Sequence, residues 1–166
     1  MIYVLYGQPA SGKTTLGKLL AEHLRTPFVI DGDEFRDMFA NKNYGREGRE
    51  QNIRNANAVA TYLNKKGKTK DWASIYYRDK PTHLHGRPVN TDTDVVMCLV
   101  NPYENLRGEL KESNNDQVVE IYLQSERDLR KEYHVEDFEI AHPDHVLSTD
   151  ESTEDTWGKL KKIINL

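Results

Sequence analysis

The sequence predicts an α/β protein in which a parallel sheet of about four to five strands carries helices on both faces. Three observations lead there. Short runs such as Val95–Val100 are apolar without interruption, as strands covered on both faces must be. The segments between such runs repeat apolar residues at helical spacing, and strands and helices alternate along the chain. Finally, Gly7-Gln8-Pro9-Ala10-Ser11-Gly12-Lys13-Thr14 lies between an apolar run and an amphipathic pattern, where a phosphate-binding loop joins strand to helix.

The first strand is Ile2-Tyr3-Val4-Leu5-Tyr6. The loop that follows is a complete Walker A pattern, whose glycines let successive N–H groups face one anion while the next helix adds the positive end of its dipole. Gly7, Ala10, Ser11, Gly12, Lys13, Thr14 and Thr15 are therefore expected to bind ATP. Lys13 would reach the transferred phosphate, and the Thr14 hydroxyl would ligate Mg2+. Leu16, Leu19, Leu20, His23 and Leu24 form the apolar stripe of the first helix. A second strand, Pro27–Ile30, delivers Asp31-Gly32-Asp33 at its C-terminal end, the edge where open parallel sheets place their chemistry.

A short helix is expected from about Glu34 to Ala40, then a polar loop, Asn41 to Gly45. A longer helix from about Arg46 to Lys66 presents Ile53, Ala56, Val59, Ala60 and Leu63 on one face, and Gly67 stops it. Val95–Val100 and Val118–Leu123 are the third and fourth strands. Trp157, Leu160, Ile163 and Ile164 give the closing helix its stripe. Residues 68–93 do not fit the alternation and should emerge at the opposite, N-terminal edge of the sheet. Trp72, Ile75 and Tyr77 suggest one arm of a hairpin, packed on its own domain or on a second subunit. His83 and His85 lack the further ligands a metal set needs.

With 166 residues, 30% charged and 37% hydrophobic, the chain suits one domain over 1–166 that contains the 68–93 insert. A net charge of −4 provides no global field to attract nucleic acid or an anionic membrane, so local basic groups must bind any anion. The lone cysteine, Cys98, sits in an apolar run and suits a reducing cytosol, and no apolar run approaches the ~20 residues of a membrane helix. A cytoplasmic protein without membrane contact is expected.

Further motifs are more specific than the loop. Asp31-Gly32-Asp33-Glu34-Phe35-Arg36, then Tyr44, then Arg49-Glu50-Gln51-Asn52-Ile53-Arg54 resembles the adenylylsulfate (APS) kinase family in both spacing and order. Asn101-Pro102-Tyr103-Glu104-Asn105-Leu106-Arg107 and Tyr133-His134-Val135-Glu136-Asp137-Phe138-Glu139 resemble later segments of that family. The resemblance implies a P-loop kinase fold and transfer of the γ-phosphoryl group of ATP to the 3′-hydroxyl of adenylylsulfate. Lys13, Asp33 and Asp31 would then be catalytic, Asp33 as general base, with Thr14 and Asp33 on the metal. Arg36, Tyr44, Arg49, Asn52, Ile53, Arg54, Asn101, Tyr103, Arg107 and Tyr133 would receive a small anionic nucleotide, where guanidinium forks match sulfate or phosphate oxygens. Arg127 and Arg130 would cover the triphosphate.

Some residues keep other readings. Asp33 also suits a helix N-cap, and Arg49 and Arg54 could pair with Glu47 and Glu50. The chain departs from the family at Pro9-Ala10, at Glu104, in a lid shortened after Ser125–Glu132 and in the insert. These departures leave open a polynucleotide end, sugar or other metabolite as acceptor, a non-catalytic nucleotide-dependent binding module, and a homodimer.

Overall fold

A computed structural model describes residues 1–66, 83–84, 87–88, 94–127 and 130–164. Its main sheet has five strands, β1 (Ile2–Tyr6), β2 (Val29–Asp31), β5 (Val95–Leu99), β6 (Val118–Gln124) and β7 (His145–Ser148), in the order β2-β5-β1-β6-β7. Every pairing is parallel: Val4 of β1 lies opposite Met97 on one side and Glu120 on the other. β1 is thus central, and the loop leaving its C-terminal end opens at the point where successive connections depart in opposite directions. Open α/β sheets form their ligand crevice at that switch point.

Alternation along β1 divides the core in two. Ile2, Val4 and Tyr6 face one layer with Met97 and Leu99, covered by Phe35, Ile53, Ala56, Ala60, Leu106 and Leu110. These come from α2 (Gly32–Met38), α3 (Arg46–Lys66) and α4 (Glu104–Ser113). Tyr3 and Leu5 face the other layer with Val96, Cys98 and Ile121, covered by Leu16 and Leu20 of α1 (Lys13–Leu24) and Leu160 of α5 (Thr153–Ile163). Burial of each such side chain stabilises by about 1.5–3 kcal/mol, so the central strands hold the sheet on both faces. Gly17 lets α1 lie against β5, since a methyl group there would overlap the Cys98 sulfur.

Several boundaries differ from the sequence expectation. β2 runs one residue further, through Asp31, because Asp31 still pairs with Cys98 of β5. α2 begins at Gly32 rather than near Glu34, since the Asp31 carboxylate accepts from the amides of Asp33 and Glu34 at 2.9 and 3.4 Å. The N-cap is therefore Asp31, not Asp33. The short edge strand β7 had no sequence signal of its own: only Leu147 is inward-facing and fully buried, while Val146 is exposed. In the 68–93 region, His83–Leu84 (β3) pairs antiparallel with Arg87–Pro88 (β4). The segment with Trp72, Ile75 and Tyr77, and His85, lie outside the described residues.

Candidate active site

The phosphate loop is shaped by its two glycines. A side chain at Gly7 would stand 2.5 Å from the Leu123 carbonyl oxygen, so only glycine lets the loop leave β1 against β6. Gly12 has φ 87° at the start of α1, a left-handed conformation that L side chains resist. Ala10 holds φ 64° with a methyl group attached. Lys13 curls back over the loop, its Nζ donating to the Gln8 carbonyl at 2.7 Å and to Ser11 Oγ at 3.3 Å. Burial pulls its pKa from 10.5 down to about 8, against the opposing pull of Cys98, Asp33 and Asp31.

Beside it, the Thr14 hydroxyl donates to Asp31 Oδ2 at 2.6 Å. Strand β2 and the cap of α2 hold Asp31 in that place, with its other oxygen on the helix amides. Thr14 and Asp31 together present hard oxygen donors of the kind Mg2+ takes alongside phosphate oxygens. Asp33, in the first turn of α2, is exposed and lines the cavity, and among the described residues its carboxylate has no hydrogen-bond partner. Among the described residues no group of three or more His, Cys, Asp or Glu could hold a metal without such help.

The cavity has a volume of about 870 Å³. Ala10, Gly12, Lys13, Thr14, Thr15, Asp31 and Asp33 line it, together with Arg36, Tyr44, Arg49, Asn52 and Ile53. Arg130 and Tyr133 line it as well. The Arg36 guanidinium sits 4.6 Å from the centre of the Tyr44 ring and donates to the Asn43 carbonyl at 2.9 Å. Its pKa is lowered by burial and, against the pull of Tyr44, by the adjacent Arg49. Two like charges held together beside a cavity favour an anion between them. Among the described residues no ion pair joins Arg49 to Glu47 or Glu50, and Glu50 pairs with Arg46 at 2.9 Å. Asn52 is buried and donates to the Gly32 carbonyl at 3.0 Å, fixing α3 against the start of α2.

Other expected site residues stand elsewhere. Arg54 points off α3 to Glu109 of α4 at 2.8 Å, away from the cavity. Arg107 is 2% exposed and donates to the carbonyls of Asn101, Glu139 and Ile140, above the Tyr6 ring and beside the buried Glu120. It belongs to the scaffold. Asn101 and Tyr103 are fully buried and do not line the cavity, whereas Pro102 between them does. The Tyr103 ring instead lies under Arg46. Arg127 donates to the Thr149 carbonyl at 2.7 Å and borders a small pocket behind the phosphate loop that Ser11 shares. Gly7 shapes the loop without lining the main cavity. Glu104, in the first turn of α4, also lies outside the lining.

Sequence reasoning missed Glu132, His134 and Val135, which line the cavity from the segment after Arg130. His134 and Val135 stand in the Tyr133–Glu139 segment that resembles the family, but which of its residues face the cavity depends on how that segment folds.

A central phosphate loop, the 2-3-1-4-5 arrangement of the main strands in chain order and a cavity at their C-terminal ends define a P-loop kinase-like α/β protein. The AAA domain model matches residues 6–97, more than half of the chain, and the protein belongs to that family. No functionally curated protein matches the sequence. Among solved structures, the chain resembles the Mycobacterium tuberculosis APS kinase CysC in complex with AMPPNP and APS, at 16% identity and TM-score 0.69, covering 98% of this chain and 96% of that one. It also resembles a gluconokinase from Sinorhizobium meliloti 1021, at 13% identity and TM-score 0.56, covering 98% and 94%. Shikimate kinase from Bacteroides thetaiotaomicron aligns at 13% identity and TM-score 0.60, covering 100% and 99%. Among the described residues no helix is long and apolar enough to cross a membrane.

Proposed function

We propose that the protein transfers the γ-phosphoryl group of ATP to a hydroxyl of a small anionic acceptor, with the 3′-hydroxyl of adenylylsulfate as the leading candidate. The observation that carries this reading is that Lys13, Asp33, Arg36 and Arg49 line one cavity. Lys13 is placed to leave the Gln8 carbonyl for the phosphate oxygens, where its charge offsets that developing on the transferred group. Asp33 takes the proton of the attacking hydroxyl; the acceptor oxygen bonds to the γ phosphorus, and the bond to ADP breaks. Mg2+, held by Thr14 and Asp31, would neutralise charge on the β and γ oxygens. This division leaves Asp33 free for the proton.

Arg36 and Arg49 grip the acceptor's anionic group, and the outer face of Tyr44, a residue 69% exposed, stacks on its base. Tyr133 and Arg130 line the same cavity. The motif spacing around Asp31, Arg49 and Asn52 supports adenylylsulfate, as does the likeness to a kinase bound to AMPPNP and APS. A second reading, a hydroxy acid or sugar acid as acceptor, draws on the same guanidinium pair, which suits a carboxylate equally, and on Glu132 in the lining. The test is a coupled assay for ADP with ATP, Mg2+ and adenylylsulfate. ADP release no faster than with water removes that acceptor, and a parallel panel of gluconate, shikimate and a 5′-hydroxyl oligonucleotide separates the alternatives.

A further inference from the structure

Gln8 is a residue of the phosphate loop that Walker A chemistry leaves without a role, yet among the described residues its side chain is the one in that loop that hydrogen-bonds to the segment after Arg130. Its Nε2 donates to the Val135 carbonyl at 2.9 Å, and its Oε1 accepts from the Val135 amide at 2.9 Å. One side chain thus satisfies both main-chain groups of a buried residue 127 positions away, as a neighbouring strand would. Its own carbonyl meanwhile receives Lys13 Nζ at 2.7 Å. Pro9 restricts the residue before it to extended conformations, which limits where the Gln8 side chain can point.

Val135 marks a change of character along the chain. Beyond it, Phe138 stacks on Tyr6 and packs at a tilt against Tyr122, the Glu139 amide donates to the Pro102 carbonyl, and Arg107 holds the Glu139 carbonyl. Before it, Tyr133 is 65% exposed, and that stretch is held by turn bonds from the Tyr133 amide to Arg130 and from the His134 amide to Lys131. The stretch before Val135 is the one that lines the cavity.

We propose that Gln8 is a positioning residue: it fixes the point at which the Arg130–Val135 segment leaves the core and ties that wall of the cavity to the loop that binds the triphosphate. Arrival of a triphosphate draws Lys13 away from the Gln8 carbonyl, so the event is felt by the residue that anchors the wall. The inference rests on the proposed triphosphate site and is independent of which acceptor is used.

The test compares wild type with Gln8→Met, which keeps the length and removes both bonds without adding charge, and with Gln8→Glu, which keeps only the acceptor for the Val135 amide. Hydrogen exchange is followed at the amides of Tyr133 and His134, neither of which bonds to Gln8, with and without AMPPNP and Mg2+. In wild type the nucleotide should slow exchange there; in Gln8→Met that slowing should vanish and basal exchange should rise about tenfold, as the loss of two neutral hydrogen bonds allows. Gln8→Glu should fall between and carries the test alone if the methionine variant does not fold. With any accepted acceptor, kcat should drop about tenfold while KM for ATP stays within about twofold, since productive positioning and not nucleotide binding is lost. Unchanged exchange at Tyr133 and His134, or a rise in KM for ATP at constant kcat, would overturn the proposal. Failure of adenylylsulfate as acceptor would leave the exchange result untouched.

Discussion

Lys13 should make nucleotide binding depend on pH in a way that can be worked from its surroundings. Lys13 is 9% exposed and its Nζ hydrogen-bonds only to neutral oxygens, so burial lowers its pKa from 10.5 to about 8 despite Asp31 and Asp33 nearby. A shift of that size corresponds to about 3 kcal/mol against the charged form. In the free protein about one side chain in ten would be uncharged at pH 7 and about nine in ten at pH 9. A bound triphosphate restores the charge, so binding should take up about 0.1 proton at pH 7 and about 0.9 at pH 9. The apparent affinity should fall about tenfold per unit as pH rises above about 8. For folding the sign is opposite: between about 8 and 10.5 the unfolded chain holds the extra proton, so this residue makes the protein more stable as pH rises. Titration calorimetry of AMPPNP in buffers of different ionisation enthalpy measures the uptake, and Lys13→Met should abolish it. An uptake at pH 9 that is absent in wild type, or equal in wild type and Lys13→Met, would refute the placement of Lys13 against the phosphate.

Four further substitutions test the scaffold and the site. Gly48 packs on the loop that presents Tyr44, and a methyl group there would overlap the Asn43 carbonyl that also receives Arg36; Gly48→Ala should raise acceptor KM about tenfold, within the 1–3 kcal/mol of an overpacked site, while ATP affinity holds within about twofold. Arg107→Met should destabilise the fold by about 3–5 kcal/mol in denaturant unfolding, because it strips the buried Glu120 of one cation and leaves three carbonyls without their donor. Arg54 and Glu109 are each about half exposed, so Arg54→Ala should change stability by under about 1 kcal/mol and leave acceptor kinetics unchanged, whereas Arg49→Ala should weaken acceptor binding with ATP affinity intact.

The linear chain was enough to reach the phosphate loop, the central strands and four of the helices. Each rests on interactions between near neighbours: glycines at Gly7 and Gly12, unbroken apolar runs, and a helical stripe such as Ile53, Ala56 and Ala60. Arg36, Arg49, Asn52 and Asp33 were also expected in one crevice, and they line one cavity. Such spacing is legible because adjacent turns of α2 and α3 carry these residues to the same side.

The division between site and scaffold was not legible. Arg49 and Arg54 lie on one helix in one motif, yet five residues of helical rotation turn one toward the cavity and the other toward Glu109. Arg107 reads as an anion ligand until Glu120 and three carbonyls close around it. Asp31 rather than Asp33 touches Thr14 because strand pairing with Cys98 extends one residue further than apolarity suggests. The bonds from Gln8 to Val135 span 127 residues of chain, and no local pattern records a contact made only when the sheet brings its distant loops together. Local composition thus determined what could bind phosphate, and long-range packing decided which charged groups face it.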